Sequence, residues 1–310
     1  MAEVMGIMLR RKPKQVFTIF VTWNLSALWS RMKRLQWPWA PYNQQTNREF
    51  PRDTITKVPR HTEEYLRPTS GAWGVNPYEP EVVALAMKLG MKEKSKREYA
   101  EAAFNWVKNN ICFYMEVPPA GVLETLEKGY GLCLNKTMVF IALMRAAEIP
   151  ARFVSYKQEM AGGFLEMIVD EMVGETGKEI VQWLQENRPT FAHGCPEALL
   201  DGEWVPADLT WTDEEEVGFD MPISQFGESP FGKWYNIVPD SVTRHEGISV
   251  PIGFRMALGT FLSRGLHDRL NARFDRIREI GRKKLEEMSR EAYMASKKKF
   301  YVPPPPLIFD

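Results

Sequence analysis

Cysteine is scarce in this chain of 310 residues, which holds three: Cys112, Cys133 and Cys195. An odd, sparse set argues against a disulfide framework and fits a reducing compartment. Charge of one sign is also missing. Forty Lys and Arg balance forty Asp and Glu, so nothing global points to nucleic acid. Long hydrophobic runs are absent as well. The N-terminal apolar stretch Val16–Trp29 is interrupted by Thr18, Thr22, Asn24 and Ser26. It falls short of the roughly 20 apolar residues that span a bilayer. No small-x-small cleavage site follows it, and no internal repeat is evident.

The stretch Gly129–Tyr156, GYGLCLNKTMVFIALMRAAEIPARFVSY, organises the rest. Leu134, Met138, Ile141 and Met144 recur on one face of an α-helix. Ile149-Pro150 stops that helix, and Ala151–Tyr156 alternates as a strand. Cys133 therefore falls in the first helical turn, where unpaired N–H groups and the helix dipole favour a thiolate. Further on, FAHGCPEALLDGEWVPADLTWT at 191–212 carries His193 and Asp208, 15 residues apart. That interval suits two strands of a hairpin, and Asp201-Gly202 is the turn signal between them.

These segments together resemble the transglutaminase-like superfamily of cysteine enzymes. The resemblance rests on G-x-C at Gly131–Cys133, L-x-R-A at Leu143–Ala146, I-P-A-R at Ile149–Arg152, and the later His and Asp segments, over about residues 95–212. It implies a nucleophile at Cys133, a base at His193 and an orienting acid at Asp208. Glu197 matches a glutamate that often follows the His and is expected to make a structural hydrogen bond or salt bridge rather than take part in chemistry; Trp204-Val205 matches the Trp-Val before the acid. There are departures: Glu148 stands where a glycine is usual, and Cys195 where an aromatic is usual. Pro196 follows, which implies a bulge or a sheet edge.

A thiolate attacks an amide carbonyl well, and His193 would carry the proton to the leaving nitrogen. The Cys133 backbone N–H is the expected first oxyanion donor, with Tyr130 as the candidate second. No cofactor or metal is called for. A Cys3His set of Cys112, Cys133, Cys195 and His193 lacks the Cys-x2-Cys turn that zinc sites use. His61, His245 and His267 read as incidental.

Elsewhere, Pro80-Glu81 opens a short helix ending at Gly90, and Ser95-x-x-Glu98 is a capping box. Tyr99, Ala102, Ala103, Trp106 and Val107 form an apolar stripe facing the Cys133 helix. Lys157–Pro189 reads as an insertion at the mouth of the site, and Asp213–Glu216 as a solvated acidic loop rather than a calcium site. Leu258, Leu262, Leu266, Leu270, Phe274 and Ile277 stripe a C-terminal helix with a basic opposite face, and Pro303–Pro306 stiffens the tail.

The expected fold is α+β, a nucleophile helix and its helical layer on an antiparallel sheet. Three parts are expected: a basic and aromatic extension with linker (1–75), a catalytic domain (76–250), and an amphipathic helix with a Pro-rich tail (251–310). The expected activity is cysteine-dependent attack on an amide of a peptide or protein, through a thioester on Cys133. Hydrolysis is favoured; acyl transfer to an amine and an inert binding module are the alternatives. The basic termini are expected to dock on the domain, with attachment to a membrane surface or a partner as the other reading. The expected compartment is the cytoplasm.

Overall fold

The computed structural model describes residues 58–70, 74–115, 121–159, 190–228, 238–247 and 264–300, with Lys14 and Phe17. The Trp-rich N-terminal stretch, most of the 157–189 insertion and the Pro-rich tail lie outside these residues.

Two helices come first, α1 (Pro80–Lys88) and α2 (Lys96–Asn110). Pro80 sits in the first turn of α1, where a missing N–H costs nothing. Ser95 and Glu98 form the capping box of α2, Ser95 Oγ accepting from the Glu98 N–H and Glu98 accepting from the Ser95 N–H. A two-residue parallel ladder follows, β1 (Cys112–Phe113) with β2 (Tyr130–Gly131), joined through α3 (Val122–Lys128). Then comes α4 (Cys133–Ala146), the helix that the periodicity placed. A four-stranded antiparallel sheet completes the core. Its order is β5 (Glu203–Pro206), β4 (Thr190–Leu200), β3 (Ala151–Glu159), β6 (Thr243–His245). The architecture is α+β.

The apolar pattern marked one face of α4, but every residue from Leu134 to Ala146 is buried. The helix is enclosed by α1, α2, α3 and the sheet. Tyr99 on α2 donates from its hydroxyl to the Leu143 carbonyl, 2.8 Å. Ala100 and Phe104 join the core there, while Ala102 and Trp106 are half-buried. Full enclosure forces the polar side chains of α4 to find protein partners. Arg145 donates to the carbonyls of Arg67, Ala151 and Glu246 at 2.6–2.8 Å. Lys136 donates to the carbonyls of Lys108 (3.0 Å) and Thr210 (3.3 Å).

Asp201 and Gly202 turn β4 into β5 with φ of 54° and 85°. A two-residue turn with both φ positive matches the twist of the flanking strands. Pro196 makes no bulge but does lie on a sheet edge, the second of the two expected outcomes. The β3–β4 register runs without slip from Ala151↔Ala198 to Glu159↔Thr190. Pro196 faces the β5 side, where its carbonyl accepts from Ala207, just past the last β4–β5 pair, Glu197↔Pro206. The missing N–H therefore falls where the neighbouring strand has ended.

The acidic run is a correction. Asp213–Gly218 is a short helix, α5, capped by Thr212 and Glu215. Glu215 and Glu216 are buried. Glu216 holds Lys108 at 2.7 Å, and Lys108 also pairs with Asp213. Glu215 holds Arg278 at 2.7 Å and accepts from the Phe113 N–H at 3.2 Å. Arg278 lies on α6 (Arg264–Glu287), which is followed by α7 (Arg290–Phe300). Of the expected apolar stripe, Leu270, Phe274 and Ile277 are buried; Leu258 and Leu262 lie outside the described residues. Asn271 of α6 exchanges two hydrogen bonds with the Met115 backbone, 2.7 and 2.9 Å, and Asp275 accepts from the Tyr114 hydroxyl.

α5 and α6 meet backbone to backbone. A Cβ at Gly281 would lie inside the Glu214 carbonyl oxygen, and one at Gly218 inside the Ile277 carbonyl oxygen. Gly281→Ala must push the helices apart and is expected to cost about 1–3 kcal/mol. A lower denaturation midpoint, with proteolysis faster in α6 than in the core, checks this.

Two helices end in the same motif with different residues. At α1 the Met91 N–H returns to the Ala86 carbonyl and the Gly90 N–H to Met87, with Gly90 at φ 91°. At α4 the Ile149 N–H returns to Met144 and the Glu148 N–H to Arg145, with Glu148 at φ 57°. The left-handed position is free of strain for glycine and strained for glutamate. Glu148→Gly is expected to stabilise the fold by about 0.5–1 kcal/mol, read as a higher urea midpoint at unchanged slope.

Candidate active site

Cys133 is the first residue of α4, after Leu132 as N-cap. Leu132 has no side-chain oxygen, so capping comes from inside the helix: Asn135 Oδ1 accepts from the Leu132 N–H at 2.8 Å. Asn135 Nδ2 reaches Thr125 Oγ1 at 3.3 Å, tying α3 to the turn. Gly131 makes room for this cap, since a Cβ there would lie 2.6 Å from the Asn135 Cβ.

The half-buried Cys133 sits against β4. The backbone N–H groups of Leu134, of Gly194 (the residue after His193) and of Cys133 itself favour its thiolate. Gly194 cannot carry a side chain, because a Cβ there would collide with the Phe153 ring and approach the Val154 carbonyl oxygen to 2.7 Å. His193 is buried. Its Nε2 lies 3.2 Å from Thr210 Oγ1, and Thr210 Oγ1 donates to Asp208 Oδ1 at 2.7 Å. The Thr210 N–H also reaches Asp208 Oδ1, 3.1 Å. The packing of α4 on β4 thus brings Cys133 to the His193 strand, and Thr210 joins His193 to Asp208. Nothing in the sequence pattern singled out Thr210. An Asp-x-Thr spacing, which lets the hydroxyl fold back on the carboxylate, is the signal that could have done so.

The remaining sequence-marked residues fall into a supporting cluster. Glu197 accepts from Arg152 Nε (2.9 Å) and Nη2 (2.8 Å), a structural ion pair as expected. The Arg152 guanidinium stacks 3.7 Å from the Trp204 ring centroid. Arg152, Glu197 and Trp204 therefore bind three neighbouring strands into one unit. Cys195 packs with Val154 and Tyr156 in a small buried cluster. Tyr156 pairs with His193 across the strands and meets its ring edge-on, centroids 5.5 Å apart. The aromatic neighbour of His193 thus comes from β3. Tyr130 is half-buried and stacks edge-on with Tyr114 at 5.3 Å. His61 lies 3.4 Å from Glu63, and His245 bonds Thr243 at 2.9 Å. Cys112 is on β1, paired with Tyr130. Among the described residues no group of His, Cys, Asp and Glu is arranged to hold a metal ion, and no helix is long and apolar enough to cross a membrane.

Electrostatics alter one expectation. Burial, with the Asp208 charge, pushes the Cys133 thiol up to about 12, against the pull of the Leu134, Gly194 and Cys133 N–H groups. Burial also lowers His193, and Asp208 opposes that shift. Desolvation and the Asp208 charge therefore oppose the pull of the helix start on Cys133. Below its pKa the thiolate fraction grows about tenfold per pH unit. Iodoacetamide labelling of Cys133 is expected to keep rising above pH 8. A plateau already reached below pH 6 would instead mean a resting thiolate–imidazolium pair.

A family model described as the transglutaminase-like superfamily matches residues 83–209. No curated protein matches the chain significantly. The matched span runs from α1 to just past Asp208 and includes Cys133 and His193. Over residues 83–209 the chain is similar to the transglutaminase-like superfamily, and its helices packed on an antiparallel sheet are consistent with that likeness.

Proposed function

We propose that the protein is a cysteine-dependent amide-bond enzyme that acts through a thioester on Cys133, and that water is the usual acceptor. The observation carrying this reading is the packing of the helix that begins with Cys133 against the strand that bears His193, with His193 joined to Asp208 through Thr210. The transglutaminase-like match over the same segments supports it.

The chemistry can start from a neutral pair, the direction in which burial moves both groups. As Cys133 Sγ bonds to the amide carbon, its proton passes to His193, whose lowered pKa keeps the ring free to accept it. The carbonyl oxygen takes the negative charge, facing the Cys133 backbone N–H, with Tyr130 as the candidate second donor. The C–N bond then breaks and His193 returns the proton to the leaving nitrogen. Water, deprotonated by the same imidazole, cleaves the thioester and regenerates the thiol. Asp208 stabilises the imidazolium in both halves. A hydrolase needs one acyl subsite, whereas a transferase must also seat an amine.

A second reading has its own support. The raised Cys133 thiol suits a transglutaminase-like binding module without turnover. Glutamine-containing peptides incubated with a labelled amine distinguish the readings. Cleavage or ammonia release without amine incorporation is expected, with a loss of about 10³-fold or more in Cys133→Ala. Incorporation that competes with water would assign a transferase. No turnover over a broad panel, with Cys133→Ala indistinguishable from the parent, would leave the binding module.

A further inference from the structure

We infer that Thr210 is a positioning residue that couples Asp208 to His193 and holds the imidazole in its Nε2–H tautomer. This rests on the catalytic reading of His193 for its functional meaning, but the tautomer itself does not.

Proton counting decides the direction of the bonds. A threonine hydroxyl has one proton and two acceptor lone pairs, and a carboxylate oxygen can only accept. Thr210 Oγ1 stands 2.7 Å from Asp208 Oδ1, within the range of O–H bonds to carboxylates. The single hydroxyl proton is therefore committed to Asp208. The bond to His193 Nε2, 3.2 Å, must then run the other way, from ring N–H to hydroxyl oxygen. A neutral imidazole has only one N–H, so Nδ1 is left as the acceptor. On the proposed mechanism, Nδ1 is the nitrogen that takes the Cys133 proton.

Thr210 is built to hold this bond. It is buried, so water does not compete for the hydroxyl. Its N–H is fixed on Asp208 Oδ1 (3.1 Å) and its carbonyl accepts from Lys136 Nζ (3.3 Å). Lys136 lies one turn along the helix that begins with Cys133. The same helix thus presents the thiol and anchors the backbone of the residue that orients the base. When His193 gains a proton, the Nε2–H bond to Thr210 persists, and the hydroxyl between the imidazolium and Asp208 is polarised from both ends.

The test uses full-length protein labelled with 15N-histidine, with His193→Gln to assign the His193 signals. The parent is expected to show a protonated Nε2 and an unprotonated Nδ1 at neutral pH. Thr210→Val keeps the shape but removes the hydroxyl, and is expected to abolish that preference; Thr210→Ser should retain it. In the peptide assay, Thr210→Val should lower kcat about 10- to 100-fold with little change in KM, and Thr210→Ser should recover most of the loss. An Nδ1–H tautomer in the parent, or a Thr210→Val spectrum identical to the parent's, overturns the inference. Should Thr210→Val fail to fold, the spectra of the parent and Thr210→Ser still decide it. If the parent turns over no substrate, the catalytic reading fails while the tautomer measurement stands separately.

Discussion

A helix enclosed on every side has no water to satisfy its polar groups, and the rest of this domain answers that constraint. α4 carries Asn135, Lys136 and Arg145 into the interior. Each is met by groups from a different part of the chain: the N-cap turn and α3, the end of α2 with the Thr210 segment, and the segments around Arg67 and Glu246. Burial lowers Lys136 to about 8 and Arg145 to about 10, so holding these cations is costly unless their partners are in place. The carbonyls that accept from them fix where α2, β3 and the Asp208–Thr210 segment lie relative to α4. The site inherits its geometry from that requirement, because Cys133 begins the helix and Thr210 ends one of its bonds.

The second charged layer surrounds α5, with Lys108 of α2 on one side and Arg278 of α6 on the other. Lys108 meets Asp213 and Glu216, and Arg278 meets Glu215 and Asp275. Burial raises the Glu216 carboxyl, against the pull of Lys108. Such pairs contribute less to stability than to specificity, since removing either partner strands the other charge. Here they select one placement of α6. The abutting glycines Gly218 and Gly281 make the placement sharper still, because they set helix against helix with no side chain between.

Much of the local structure was legible because the signals were local. Pro80, the Ser95–Glu98 box, Asp201-Gly202 and Ile149-Pro150 each act within a few residues, and each element begins or ends where they place it. The nucleophile helix was legible for the same reason, and the pairing of Glu197 because its arginine sits across a regular ladder. Partners far apart in the chain were not legible. Periodicity reports the most apolar face of α4, not that other elements close over the remaining ones. Four acids in a row look solvated until Lys108 and Arg278, distant in sequence, arrive beside them. Glu148 and Cys195 looked like defects in a motif. One is tolerated in a left-handed cap, and the other is offset by Tyr156 on the neighbouring strand. The thiol was expected to favour the thiolate from its helix position and its His193 partner; burial and the Asp208 charge, which the sequence does not display, push the other way.

The clasp between α6 and the β1 end bears on how the protein is made. The chain leaves the ribosome N-terminus first, so Cys133 emerges long before Asn271, Asp275 and Arg278. Until they follow, the Met115 backbone, the Tyr114 hydroxyl and Glu215 lack the α6 partners that meet them in the finished fold. β1 is only two residues long, and it pairs with the β2 strand that leads into Cys133. A nascent chain therefore carries its thiol in an unfinished frame through nearly half of its synthesis, from Cys133 to Arg278 of 310 residues, and the last long helix closes it.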